Sequence, residues 1–266
     1  MAVQPPVQAP PGQPPPEPPP RQEPEPKTLT ILEHLRGLRY RVMVVGGALI
    51  VGVLASIWPL SGWFIDFLAA PAEDRVDDFR LIFTEPLEYW TSIFRVSLLL
   101  GVTFAMPVII YQALAFVSPA LTGREKRWLY PIVLGATFAF LAGAAFAYYV
   151  ELPPALNFLL DSGGRAEPLI RIRSYVDFAT RLIFVTGVVF ELPLIVMGLA
   201  KLGLVTSRKL LGWWRYAIVL AFVAAAVVTP SLDPITQSLV AGPMIVLYFL
   251  GIALAKLVEG SPLFTR

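Results

Sequence analysis

A chain of 266 residues that is 56% apolar and only 15% charged, with a mean hydropathy of +0.67, is too apolar for a water-soluble domain, where roughly 25% of residues carry charge. Cysteine is absent and histidine occurs once, as His34, which excludes disulfides, thiolate chemistry and zinc or haem sites built on imidazoles; no HExxH or GxSxG motif occurs. The net charge of +2 matters less than where the charges fall, because a membrane protein sorts them by side.

Residues 5–26, PPVQAPPGQPPPEPPPRQEPEP, cannot bury a core and are expected to form a disordered, partly polyproline II arm or a recognition site for a proline-binding partner. With no apolar h-region or cleavage site, this stretch does not read as a secretory signal, so the N-terminus is expected on the cytoplasmic side. Residues 31–42, ILEHLRGLRYRV, space Ile31, Leu32, Leu35 and Leu38 for an amphipathic helix at the inner surface, with Arg39 and Arg41 at the mouth of the first span. Taken alone, those arginines read as anchors on anionic lipid and His34 as a surface or capping residue.

Six segments approach the roughly 20 apolar residues that a helix needs to cross about 30 Å of hydrocarbon: 40–61, 88–117, 128–150, 174–200, 212–228 and 237–257. The fifth is the shortest, its uncharged core running only from Tyr216 to Val228, and local bilayer thinning is expected around it. With both termini inside, fourteen of the 21 basic residues fall in cytoplasmic segments, five in outer segments (Arg75, Arg80, Arg165, Arg171 and Arg173), and two, Arg95 and Arg181, within spans. That asymmetry predicts an all-α, six-span protein with cytoplasmic ends: a tail over 1–28, a membrane domain over 29–258 and a short tail over 259–266.

Two acids depart from the pattern. Glu191 lies well inside the fourth span, where an ionised carboxylate costs at least about 2.5 kcal/mol unless it faces other helices or water. It reads either as a hydrogen-bonded carboxyl pinning two helices or as a group in proton-coupled or partner-coupled movement, beside a bend at Pro193. Glu125 sits among Arg124, Lys126 and Arg127 between spans two and three, a row that by itself reads as a solvated charge network.

EHLRGLRYR at 33–41, TEPLEYW at 84–90, PVIIYQALAFVSPAL at 107–121, REKR at 124–127, FELPL at 190–194, TPSLDPITQ at 229–237 and AGPMIVLYFLGI at 241–252 together resemble the TatC family, the receptor component of the twin-arginine protein translocase. The resemblance covers residue 31 to about 257. It implies a concave, cupped bundle with short fifth and sixth helices in the plasma membrane of a prokaryote. Such a receptor binds twin-arginine signal peptides and, with TatA- and TatB-type single-span partners, moves folded proteins outward on the proton motive force. It further implies self-association and contact with membrane lipid, no nucleic acid, no cofactor and no enzymatic activity.

By the same resemblance, Glu125 is the acid that receives the paired arginines, Phe116 and Leu121 are neighbouring contacts, and Arg39 and Arg41 organise the acidic site or lipid headgroups. Gln112 and Pro107 match as packing and kink residues. A carboxylate suits the task, because its pair with arginine is bidentate and charge-assisted in a way lysine does not reproduce. Glu191 matches the intramembrane glutamate linked to partner engagement, and Thr229 and Gln237 match polar positions where a partner helix docks; Asp233 lies in the same segment, in a loop one residue longer than the family pattern. The departure is Gly37, where a second glutamate is common; Glu33, one turn earlier on the same face and about 6 Å away, is expected to replace it in part. Two rival classes remain. A proton-coupled secondary transporter of a small solute would show related halves, and an intramembrane protease would need a nucleophile with a base or paired aspartates within spans; neither feature is found.

Overall fold

In the computed structural model the chain is described over residues 31–73, 80–117, 129–161, 169–229 and 233–259, with the side chains at 31–36, 117, 129 and 161 left aside. The tail expected over 1–28 and the residues from 260 onward lie outside this range, as do Leu121 and Glu125. The helices are α1 (Ile31–Ile57), α2 (Ser61–Glu73), α3 (Glu88–Val117), α4 (Leu129–Phe146), α5 (Leu152–Asp161), α6 (Ile172–Val189), α7 (Leu192–Lys201), α8 (Ser207–Gly212), α9 (Trp214–Val228) and α10 (Pro234–Glu259). Among the described residues the sole extended pairing is a bridge between Ile82 and Arg171.

Among the described residues five stretches are long and apolar enough to cross a bilayer: Gly37–Ile57, Glu88–Phe116, Tyr130–Leu160, Ile172–Lys201 and Pro234–Glu259. The shorter apolar α9 has 15 residues, about 22 Å at 1.5 Å per residue, and is the short fifth span the sequence predicts. The sixth is not short. It has 26 residues, because Asp233 and Pro234 start the helix ahead of the apolar run and Pro243 is accommodated within it. The third span also exceeds its predicted end at 150: a π-turn over Ala147–Glu151 absorbs an extra residue and carries α4 directly into α5. Helix α2, which follows the first span expected over 40–61, buries Ile65, Leu68 and Ala72 against the core.

A close backbone approach joins α1 to α3. A Cβ on Gly52 would lie 2.7 Å from the carbonyl oxygen of Gly101, and a Cβ on Gly101 would lie 2.8 Å from the amide nitrogen of Val53. Glycine at both positions lets the two backbones touch where any side chain would hold them apart. Helices α4 and α6 cross in the same way, with Phe140 over Gly187 and Phe190 over Gly143.

At the other end of the α3–α6 seam the chain is latched. The amide of Ile82 donates to Ile170 O at 3.0 Å and that of Ile172 to Ile82 O at 2.8 Å. Glu88, fully enclosed at the start of α3, accepts from Thr84 N at 2.9 Å, from Thr84 Oγ1 at 3.2 Å and from Arg173 N at 3.3 Å, and it pairs with the Arg171 guanidinium. This carboxylate takes up backbone donors that the helix start leaves unpaired, so the first turns of α3 and α6 are held in register.

Candidate functional site

Of the residues expected to receive a signal peptide, Arg39, Arg41 and Phe116 have described side chains and lie on the first part of α1 and the end of α3, whereas Leu121 and Glu125 lie outside the described residues. Arg41 donates from Nη1 to Oε1 of Gln112 at 3.3 Å, a contact across 71 residues that ties the two helices together. Gln112, for which the resemblance implied a packing role, therefore holds the Arg41 guanidinium. Phe116 is half-buried one turn further along α3, Arg39 is exposed, and Tyr111 stacks on Tyr130 at the start of α4 with ring centroids 6.4 Å apart. The helix ends that flank residues 118–128 are thus neighbours. Glu33 and Gly37 lie four residues apart within α1, and a Cβ at Gly37 would meet nothing within 4 Å.

Glu191 sits where α6 gives way to α7. Pro193 has no amide hydrogen to offer the carbonyl of Val189, so the helix is interrupted at Phe190 and Glu191 and resumes at Leu192. The Glu191 side chain is only 6% exposed, lies against the backbone of Phe140 on α4, and its Oε1 accepts no hydrogen bond among the described residues.

A second acid, Glu151, occupies the same α4–α6 interface and was not singled out by the sequence. It is 1% exposed, its Oε2 accepts from Thr186 Oγ1 at 2.7 Å, and its Oε1 has no partner among the described residues. A signal for it exists: Glu-Leu-Pro occurs at 151–153 and at 191–193, each carboxyl standing two residues ahead of a proline at a helix irregularity. Replacing Thr186 by valine is expected to leave Glu151 without its donor and to cost about 1–3 kcal/mol, read as a lower unfolding midpoint of the purified protein. Thr186→Ser keeps the hydroxyl and should stay near wild type; equal losses in both variants would mean that the contact contributes no stability.

The third group lies between α9 and α10. Thr229 is buried at the end of α9, its Oγ1 donating to Ala225 O at 3.0 Å. Asp233 accepts from the amide of Thr236 through Oδ1 at 2.7 Å, which with Pro234 at the first helical position makes it the N-cap of α10. Gln237 is half-buried one turn into that helix. Asp233 thus has a structural task, and Thr229 and Gln237 flank the connection from its two sides.

A charged cluster not expected from the sequence spans α3 and α6. Asp177 pairs with Arg95 across the seam and with Arg181 one turn along α6 at 2.7 Å. The two in-span arginines noted in the sequence therefore share one counter-ion. The 177/181 spacing is legible in a helix, but Arg95 is brought to it only by the fold.

The sequence model of the family described as Sec-independent protein translocase protein (TatC) matches residues 33–243. The chain belongs to the TatC family. It is 42% identical to the chloroplastic TATC protein of Arabidopsis thaliana over 238 residues, covering 88% of this chain and 68% of that one. To the TatC of Synechocystis it is 39% identical, covering 88% and 91%. A crystal structure of the twin-arginine translocase receptor TatC superposes with a TM-score of 0.78 at 37% identity, covering 85% of this chain and 99% of that one. The chain is accordingly an all-helical, multi-pass membrane protein of a protein-translocase family, and the TatC match takes in every site residue expected from the sequence.

Proposed function

We propose that this chain is the receptor subunit of a twin-arginine translocase, binding paired-arginine signal peptides through Glu125 and passing folded proteins across the plasma membrane on the proton motive force. The observation that carries this reading is the likeness to the translocase receptor at 37% identity over 85% of the chain. The hydrogen bond between Arg41 and Gln112 supports it physically, since it ties α1 to the end of α3 from which the chain runs on toward Glu125. In this reading Glu125 takes a guanidinium in a charge-assisted pair, worth about 1.5–3 kcal/mol where partly shielded. Phe116 and Leu121 supply apolar contact, Arg39 and Arg41 hold the surrounding polar groups, and Glu33 stands in for the acid that Gly37 lacks. Glu191, Thr229, Gln237 and Asp233 belong to the faces where TatA- and TatB-type helices dock, with both termini cytoplasmic and copies of the chain self-associating.

The test is binding of a twin-arginine signal peptide to the solubilised protein, with a twin-lysine peptide as control. Wild type is expected to prefer arginine, and Glu125→Gln to lose at least about tenfold in affinity together with the preference, tenfold being 1.4 kcal/mol. Gly37→Glu, entering open space, is expected to tighten binding several-fold. A wild type that does not discriminate, alone or with its partner subunits added, would sink the reading.

A further inference from the structure

Among the described residues the seam between α3 and α6 carries one more positive charge than its acids balance, Arg95, Arg171, Arg173 and Arg181 standing against Glu85, Glu88 and Asp177. Asp177 is the counter-ion for both Arg95 and Arg181, and Arg181 remains about half exposed. Around this cluster runs an apolar cleft of about 250 Å³, with Leu98 and Val102 on one side and Phe184 on the other. A second cleft of about 370 Å³, lined by Leu87, Trp90, Phe94 and Arg173, continues it toward the Glu88 end and shares Arg95 with it.

Both α3 and α6 begin at that end, so the Cα–Cβ bonds of Arg95 and Arg181 lean back toward it, and their long side chains are directed to the membrane surface. Arg173 lies one turn above Asp177, close to the latch, with only a loose 3.9 Å pairing to Glu85. Exposed Trp90 sits within the first turn of α3, at the level where indole rings mark the headgroup boundary. Below the arginines the walls are aliphatic and aromatic. A cationic rim above an apolar groove between two transmembrane helices has the form of a phospholipid site.

We propose that this groove binds one anionic phospholipid from the leaflet at the Glu88 end, with its phosphate against Arg95, Arg173 and Arg181 and an acyl chain along Leu98, Val102 and Phe184. The lipid supplies the negative charge that the cluster lacks in a medium where an unbalanced guanidinium is costly. The assignment is independent of the receptor reading, since it uses none of the residues given to signal peptide or partner.

The test is native mass spectrometry and thermal unfolding of the full chain with phosphatidylglycerol or phosphatidylcholine. Wild type is expected to retain one phosphatidylglycerol at least about tenfold more strongly than phosphatidylcholine. Arg181→Gln leaves Asp177 paired with Arg95; it should abolish the preference while the lipid-free unfolding midpoint stays close to wild type. Leu98→Trp, which fills the groove without touching the charges, should weaken retention of both lipids. Equal retention of the two lipids by wild type, or an undiminished preference in Arg181→Gln, overturns the proposal. So does stabilisation by inorganic phosphate alone, which would make the cluster a simple anion site. Displacement of phosphatidylglycerol by a glutamate-bearing transmembrane peptide that binds more tightly at the same arginines would likewise reassign the groove to a partner helix.

Discussion

Gly101→Leu is expected to detach α1 from the bundle. The substituted carbon would begin 2.8 Å from the Val53 amide nitrogen, which is backbone and cannot swing aside, so the helices must separate along their whole crossing. Overpacking a formed interface costs about 1–3 kcal/mol, and the backbone contact puts this site at the upper end or beyond. Among the described residues the substantial packing of α1 is all against α3, so the loss at this crossing is not shared with another helix. Gly46→Leu is the control, since a Cβ there meets nothing within 4 Å and should be carried in lipid at little cost. The measurement is monodisperse yield and unfolding midpoint of both variants in detergent; similar midpoints would mean that the α1–α3 crossing is not held by its glycines.

Asp177→Asn is expected to be the most damaging change of a single charge. It leaves Arg95 and Arg181 beside each other without their counter-ion, and an uncompensated arginine within a transmembrane helix costs about 2.5–3.5 kcal/mol at the membrane centre, less toward the interface. A loss of about 2–3 kcal/mol in zwitterionic lipid follows. The double variant Asp177→Asn with Arg181→Gln removes one of the stranded charges and should recover part of that loss, the signature of coupling between neighbours. Additive losses would show that Asp177 acts on stability through some contact other than Arg181.

What the sequence revealed and what it concealed divide along a physical line. Spans are legible because the bilayer imposes a local rule on apolar length, and even the short α9 follows from its uncharged core of Tyr216–Val228. The N-cap at Asp233 lies in the readable Asp-Pro pair. Glu151 was hidden because two successive prolines mark a helix end in water, whereas here a π-turn accommodates the chain and keeps the carboxyl within the core. The shortness expected of the sixth helix came from the family resemblance, whereas the apolar run over 237–257 already indicated a full span, to which Asp233 and Pro234 add the first turn. The sharing of Asp177 by two arginines was out of reach, since Arg95 meets it from another helix. For the candidate site, Glu191 stood out as an acid within a span, whereas Glu125 and Arg41 were marked only by the resemblance to the TatC family, and the engagement of Arg41 by Gln112 required the fold.

The glycine crossing also has a mechanical meaning. Gly52 is a fulcrum, and Arg41 lies eleven residues away toward the start of α1, about 16 Å along the axis. A rocking of about 10° at the crossing would carry Arg41 sideways by about 3 Å, the length of one hydrogen bond. The bond to Gln112 is a catch at the tip of that lever, so small tilts of α1 against α3 translate into making or breaking it.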